Sequence, residues 1–171
     1  MSKIQNVPHP ADELVEAVRS AIEFRGTWFA LLFDEMRKAG VDAEGIARRA
    51  ISRCGREIHG PRAAATAKGD VLTGHEQKAF SFNDLMIKVF EMDPVTSDED
   101  NANAYLHYCP HVAAWQKMGF SDEDIALMCD IVMDGDRGVA AANGFNLYLG
   151  CTIGSGCDKC NIHFWRNEMK E

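Results

Sequence analysis

The period of the apolar residues switches along this chain, from three-and-four to two, back to three-and-four and then to two again. Those switches limit the fold more than any single motif. Leu14, Val18, Ala21 and Ile22 recur at helical spacing, and Phe24, Trp28, Leu31 and Leu32 carry the pattern through Gly26 to about Ala39. Pro10 opens the run and Gly40 is its natural stop. A second helix is predicted from Asp42 to about Ile58. Its apolar stripe is Ala47, Ala50, Ile51, Cys54 and Ile58, with Arg49, Arg53 and Arg56 opposite. Gly60-Pro61 is expected to end it, and the glycines at 69 and 74 make residues 63–79 read as loop.

The second half alternates. Leu85, Ile87 and Val89 against Met86, Lys88 and Phe90 predict a strand, and residues 104–109 predict another, with Tyr105, His107 and Cys109 on one face. The acidic stretch 93–103 reads as their connection. Pro110 opens a short helix on which His111, Ala114, Trp115 and Met118 share a face. Ser121 and Asp124 cap the next helix, whose Ile125, Met128, Cys129 and Val132 point inward, and Asp134 and Asp136 fall at its end. Two closing strands follow. Phe145, Leu147, Leu149 and Cys151 alternate on one. Asp158, Cys160, Ile162 and Phe164 alternate on the other, with Asn161, His163 and Trp165 opposite. A hairpin closing about residues 155–156 would set Cys151 beside Cys160. The expected fold is α+β: N-terminal helices, then β-β-α-α-β-β, with an antiparallel sheet of about four strands backed by helices. Residues 1–171 are read as a single domain, 1–68 mainly helical and 80–166 holding the sheet plus two helices.

Charge narrows the partners. Of 171 residues, 18 are basic and 26 acidic, a net of −8. The first eighty residues sum to +1 (12 − 11) and the rest to −9 (6 − 15). An acidic half without a basic groove argues against nucleic acid. No apolar run approaches the roughly 20 residues of a membrane span. The amino terminus lacks a secretory h-region, so a cytoplasmic location is expected. The long apolar first helix allows a homodimer. In a reducing compartment the six cysteines are expected to be free thiols.

Three of them carry the chemical reading. Cys109 precedes a helix, Cys129 lies on an apolar helix face and Cys160 on an apolar strand face, so folding would bring them together. Thiolates are nucleophiles and soft metal ligands, and His111 adds a base or a fourth ligand. Cys109, Cys160, Asp158 and His111 are the candidate catalytic residues. Cys109, Cys129, Cys160 and His111 are the alternative donor set for a divalent metal. Cys157 and Cys160 form a lone C-x-x-C, a weak signal without a partner pair. The structural alternative is that buried cysteines simply fill the core.

The second half resembles the L-2-amino-thiazoline-4-carboxylic acid hydrolase-like family. The resemblance rests on Leu106-His-Tyr-Cys109 before a helix with Ala114-Trp115 and Met118-Gly119, on Ala126-Leu-Met-Cys129-Asp130, and on Thr152 to Phe164 with Gly156-Cys-Asp158-Lys-Cys160-Asn161. It spans about residues 100–165. Asn161 stands where the family tends to have Asp, and His163 where it tends to have Arg. The resemblance implies hydrolysis at a carbon–nitrogen bond of a small cyclic amidine or thiazoline carboxylate, at a Cys-centred site that could hold a metal. It makes Cys109, Cys129, Gly156, Asp158 and Cys160 site candidates, with His163, Asn161, Gly156 and Trp115 toward the substrate. The alternative is a non-catalytic module of similar architecture that binds a small molecule, a tetrapyrrole or a metal.

Overall fold

The computed structural model describes residues 2–166. Asp12 caps the first helix, α1 (Glu13–Lys38), by accepting from the Val15 amide; acidic Glu13 and Glu16 lie in its first turn and basic Arg37 and Lys38 in its last. This helix buries Val15, Ile22, Gly26, Ala30 and Phe33. The second, α2 (Ala43–Arg53), runs on without a break into a π-helical turn (Cys54–His59) and α3 (Gly60–Ala64). Gly60-Pro61 therefore does not end this run. Pro61 occupies the first turn of α3, where its missing N–H costs nothing.

Two short helices follow, α4 (Gly74–Ser81) and α5 (Asp84–Val89). Both correct the sequence reading. Thr73 and Glu76 form a reciprocal capping box at the start of α4. The expected strand at 85–90 is α5, because Asn83 accepts from the Met86 amide and starts a helix. A six-residue apolar run does not tell the two periods apart; its cap does.

The sheet has four antiparallel strands in the order β1-β2-β4-β3: β1 (Thr96–Ser97), β2 (Asn101–Leu106), β3 (Asn146–Leu149) and β4 (Cys160–Trp165). β2 starts and ends three residues earlier than expected. Cys109 thus lies beyond the strand, as the residue capping the next helix. Between β2 and β3 come α6 (Pro110–Lys117), α7 (Asp122–Val132) and α8 (Asp134–Ala142). The third helix of this group was not expected. Asp134 and Asp136 sit in its first turn, where negative charge is favourable, and not at a helix end.

Pairing fixes the two faces of the sheet. Ala102, Ala104 and Leu106 oppose Phe164, Ile162 and Cys160, and these six residues are buried on the helix side. Asn101, Asn103 and Tyr105 oppose Trp165, His163 and Asn161 on the other side. Phe82 of the α4–α5 corner meets Phe164 edge-on at 5.9 Å. Trp115, fully buried, bonds through Nε1 to the Gly26 carbonyl at 2.9 Å and joins α6 to α1.

α8 is drawn against the π turn by glycines. A Cβ on Gly138 would lie 2.6 Å from the Ser52 carbonyl oxygen and 2.9 Å from the Arg56 nitrogen. A Cβ on Gly55 would overlap the Gly135 backbone. This backbone-to-backbone approach admits no side chain, and it fixes where the first turn of α8 sits.

Candidate functional site

The sequence-predicted residues fall into separate places. The first is the thiol cluster. Cys109, Cys129 and Cys160 do converge: Cys109 lies within electrostatic reach of both other sulfurs, and Cys160 within reach of Cys129. The Cys160 sulfur accepts from the Ile153 amide at 3.2 Å. Cys129 is packed so tightly against Gly154 that a Cβ there would meet its sulfur at 3.0 Å.

Burial dominates the electrostatics of all three. It pushes the Cys160 thiol up to about 12 and raises those of Cys109 and Cys129. At Cys109 the amides of His111 and Val112 pull the other way, and burial wins. At neutral pH the cluster is three protonated thiols packed in the core.

The second place is the far face of the sheet. Asn161 and His163 share it, as the alternation of β4 requires, so the sheet separates them from Cys160. Asn161 donates to Asn103 Oδ1 at 2.7 Å, and His163 Nε2 is 3.0 Å from Asn101 Oδ1. Burial lowers the His163 pKa, which leaves it neutral at pH 7. His107 is on this side as well, bonded to Asp93 at 2.9 Å and apart from Cys109.

Asp158 and Gly156 lie on the exposed turn before β4. The hairpin closes about residues 155–156 as expected, since Leu149 opposes Ile162 and the Gly150 amide bonds to the Asn161 carbonyl at 3.0 Å. Thr152 and Ser155 cap a 3-10 turn (Ile153–Ser155), Gly156 takes the left-handed conformation at φ 92°, and Cys151 is joined to Cys157 by a disulfide. In the β3–β4 register Cys151 falls opposite Cys160, just past the last paired residues, with its own sulfur joined to Cys157. The expectation of free thiols holds only for Cys54, Cys109, Cys129 and Cys160.

The metal donor set does not close. His111 Nε2 faces Arg25 and not the sulfurs, and among the described residues no group of three or more His, Cys, Asp or Glu is arranged to hold a metal ion.

The third place is the contact of α1 with α6, within electrostatic reach of Asp136 on α8. His111 stacks on Trp115, with ring centroids 5.8 Å apart and planes at 13°. Its Nε2 lies 3.3 Å from Nη2 and 3.4 Å from Nε of Arg25. A guanidinium only donates, so Nε2 accepts and the ring proton is on Nδ1. Burial, with Arg25 adding to it, pulls the His111 pKa down to about 3, so the ring is neutral. Arg25 also acts electrostatically on Asp136. Burial holds the Asp136 carboxyl up to about 6, and Arg25 only partly offsets that. Both His111 and Asp136 are half-buried, whereas Arg25 is exposed.

A family model for L-2-amino-thiazoline-4-carboxylic acid hydrolase matches residues 20–164. The chain belongs to this hydrolase family. Nothing among curated proteins matches it. Among solved structures, trafficking protein particle complex subunit 3 from Naegleria fowleri, covalently bound to palmitic acid, is similar with a TM-score of 0.31 and 16% identity. That match covers 90% of this chain and 82% of that one.

His111 at the α1–α6 contact has a lowered pKa and Asp136 of α8 a raised one, both under the charge of Arg25. The sequence reading includes His111 among its candidates and neither Arg25 nor Asp136. The signal for Asp136 was its unfavourable place at a supposed helix end. Arg25 carried none, since it lies one residue before a glycine in an ordinary helical run. Trp115 supports His111 from the core and has no surface with which to touch a substrate.

Proposed function

We propose that the chain hydrolyses a small cyclic amidine or thiazoline carboxylate, with Asp136 as the acid–base group, His111 as a neutral hydrogen-bond donor and Arg25 as the cation that receives the carboxylate. One observation carries this reading. An unusually acidic imidazole sits against the guanidinium of the exposed Arg25, and an unusually basic carboxyl, Asp136, lies within electrostatic reach of the same charge. Groups whose surroundings push their pKa values apart in this way are a common basis of acid–base catalysis.

The chemistry follows from those states. Above about pH 6 the Asp136 carboxylate takes a proton from water. The oxygen bonds to the ring carbon beside nitrogen. The bond from that carbon to the second ring heteroatom (sulfur in a thiazoline) breaks, and the heteroatom leaves with the proton held by Asp136. The product is a thiol or amine bearing a carbamoyl group, which accounts for both hydrogens of the water. Nδ1–H of His111 donates to the developing charge, and its Nε2 is held by Arg25.

A second reading makes Cys109 the nucleophile, favoured by the helix amides of His111 and Val112 at its sulfur. Turnover of 2-aminothiazoline-4-carboxylate, read as thiol release, separates the readings. Asp136→Asn abolishes it and Cys109→Ser spares it in the first, and the reverse holds in the second. Binding of cyclic amidines without turnover by the wild-type chain would leave a non-catalytic module.

A further inference from the structure

α1 carries a second apolar stripe that faces away from the molecule. Leu14, Ala17, Ala21, Phe24, Trp28 and Leu31 follow one another at spacings of three and four, the seam of a paired helix, and all six are exposed. Leu32 flanks the stripe. Phe24 and Trp28 meet edge-on at 5.8 Å and are 63% and 60% accessible. With large apolar side chains of roughly 150–250 Å² each, such fractions leave on the order of 500 Å² of apolar surface on one helix face. An ordinary monomer shows a few hundred. Doubled, the area reaches the roughly 1,000 Å² of a specific interface.

We infer that this face is the interface of a homodimer, in which α1 packs antiparallel against α1 of a second copy. Self-complementarity argues for a second copy as the occupant. The first turn of α1 is acidic, with Glu13 and Glu16, and the last is basic, with Arg37 and Lys38. A two-fold axis crossing the helix near Gly26 brings unlike ends together and opposes the two helix dipoles, whereas parallel pairing stacks like charge on like.

The same axis sets Trp28 of one copy against Phe24 of the other. It also sets Leu31 against Ala21, a large residue facing a small one. Lys38 and Arg37 now bond to Asp34, Glu35 and Asp124 of their own chain, and both remain open enough to reach across. Aromatic anchors at the centre with charges at the rim are the usual anatomy of a specific interface.

The test is molar mass in solution by light scattering or sedimentation, across 1–100 µM. The expected species has twice the 19.0 kDa chain mass, and Trp28→Glu converts it to a monomer with unchanged far-ultraviolet circular dichroism. Glu13→Lys with Glu16→Lys weakens the dimer at least tenfold, and adding Arg37→Glu with Lys38→Glu restores it. A wild-type monomer at 100 µM overturns the inference, as does a dimer that survives Trp28→Glu. A monomer that uses Trp28 to bind lipid vesicles or another protein overturns it too.

Discussion

Arg25 lies 3.3 Å from Nε2 of His111 across the contact of α1 with α6, and Gly26 allows the approach. A Cβ on Gly26 would stand 3.0 Å from Cδ2 of the same imidazole. The glycine in the middle of a long helix costs about 1 kcal/mol relative to alanine. In return the imidazole lies flat on Trp115 with its acceptor nitrogen on the guanidinium.

Asp136 links stability to pH with a definite sign. Its carboxyl is raised from 3.8 to about 6 by burial. The folded chain therefore holds that proton more tightly than the unfolded chain, and its contribution is lost as pH rises through the window. Asp136→Asn is expected to be inactive, yet more stable than wild type at pH 7 by up to about 3 kcal/mol and no more stable at pH 3.5. Urea denaturation at the two pH values checks this. An equal difference at both would remove the carboxyl from its assigned environment.

His111 has the opposite dependence. Its pKa is lowered to about 3, so the unfolded chain binds the proton first as pH falls, and stability is lost between about 6.5 and 3. His111→Gln should flatten that acid limb in thermal melts from pH 7 to pH 4. It should also cut turnover roughly 10²-fold or more. Arg25→Lys should keep stability and raise KM more than it lowers kcat.

The glycine contact of α8 gives a paired prediction. Gly138→Ala drives a Cβ into backbone at 2.6 Å, displaces α8 and should cost about 1–3 kcal/mol. Gly135→Ala places its Cβ at an ordinary 3.5 Å from Ile51 and should be neutral or gain up to about 1 kcal/mol. Melting temperatures of the two variants moving together would refute the packing described.

The thiols offer a labelling test. Cys129 and Cys160 are expected to resist alkylation at pH 8 until the chain unfolds, because burial suppresses their thiolates. Mass spectrometry of native protein treated with iodoacetamide reads this directly. Labelling of either at the rate of a free thiol contradicts the burial.

Asn6 holds the amino-terminal segment to the site. Its side chain donates to the Cys109 carbonyl at 3.0 Å and accepts from the Cys109 amide at 2.9 Å. Asn6→Leu leaves both groups without that partner and should cost about 1–3 kcal/mol. Faster hydrogen exchange at Cys109 and faster proteolysis of residues 2–12 are the readouts.

Where local pattern and cap agreed, the sequence was enough. α1, α2 and α7 carry their apolar stripes and side-chain caps within one stretch of chain, and β4 shows its alternation outright. Residues 85–90 failed because six apolar residues fit either period and the deciding Asn83 lies outside the run. Cys109 was placed on a strand because its neighbours alternate past the point where pairing with β4 stops.

The amino-acid order by itself determined which residues are apolar, where α2, α6 and α7 start and that the closing strand has a buried and an open face, since these follow from spacing along one segment. It also placed Cys129 and Cys160 on inward faces, because each sits on a stripe that has to be covered, whereas Cys109 reaches them from the turn before α6. Only the tertiary structure decided the ionisation of His111 and Asp136, the contact of His111 with Arg25 and the reach of that charge to Asp136. Those depend on how much protein surrounds each group, and that crowding comes from α1, α6 and the glycine-seated α8, segments more than a hundred residues apart in the chain at the extremes. A pKa set by desolvation has no signature in local sequence, because the neighbours that exclude the water are not the neighbours in the chain.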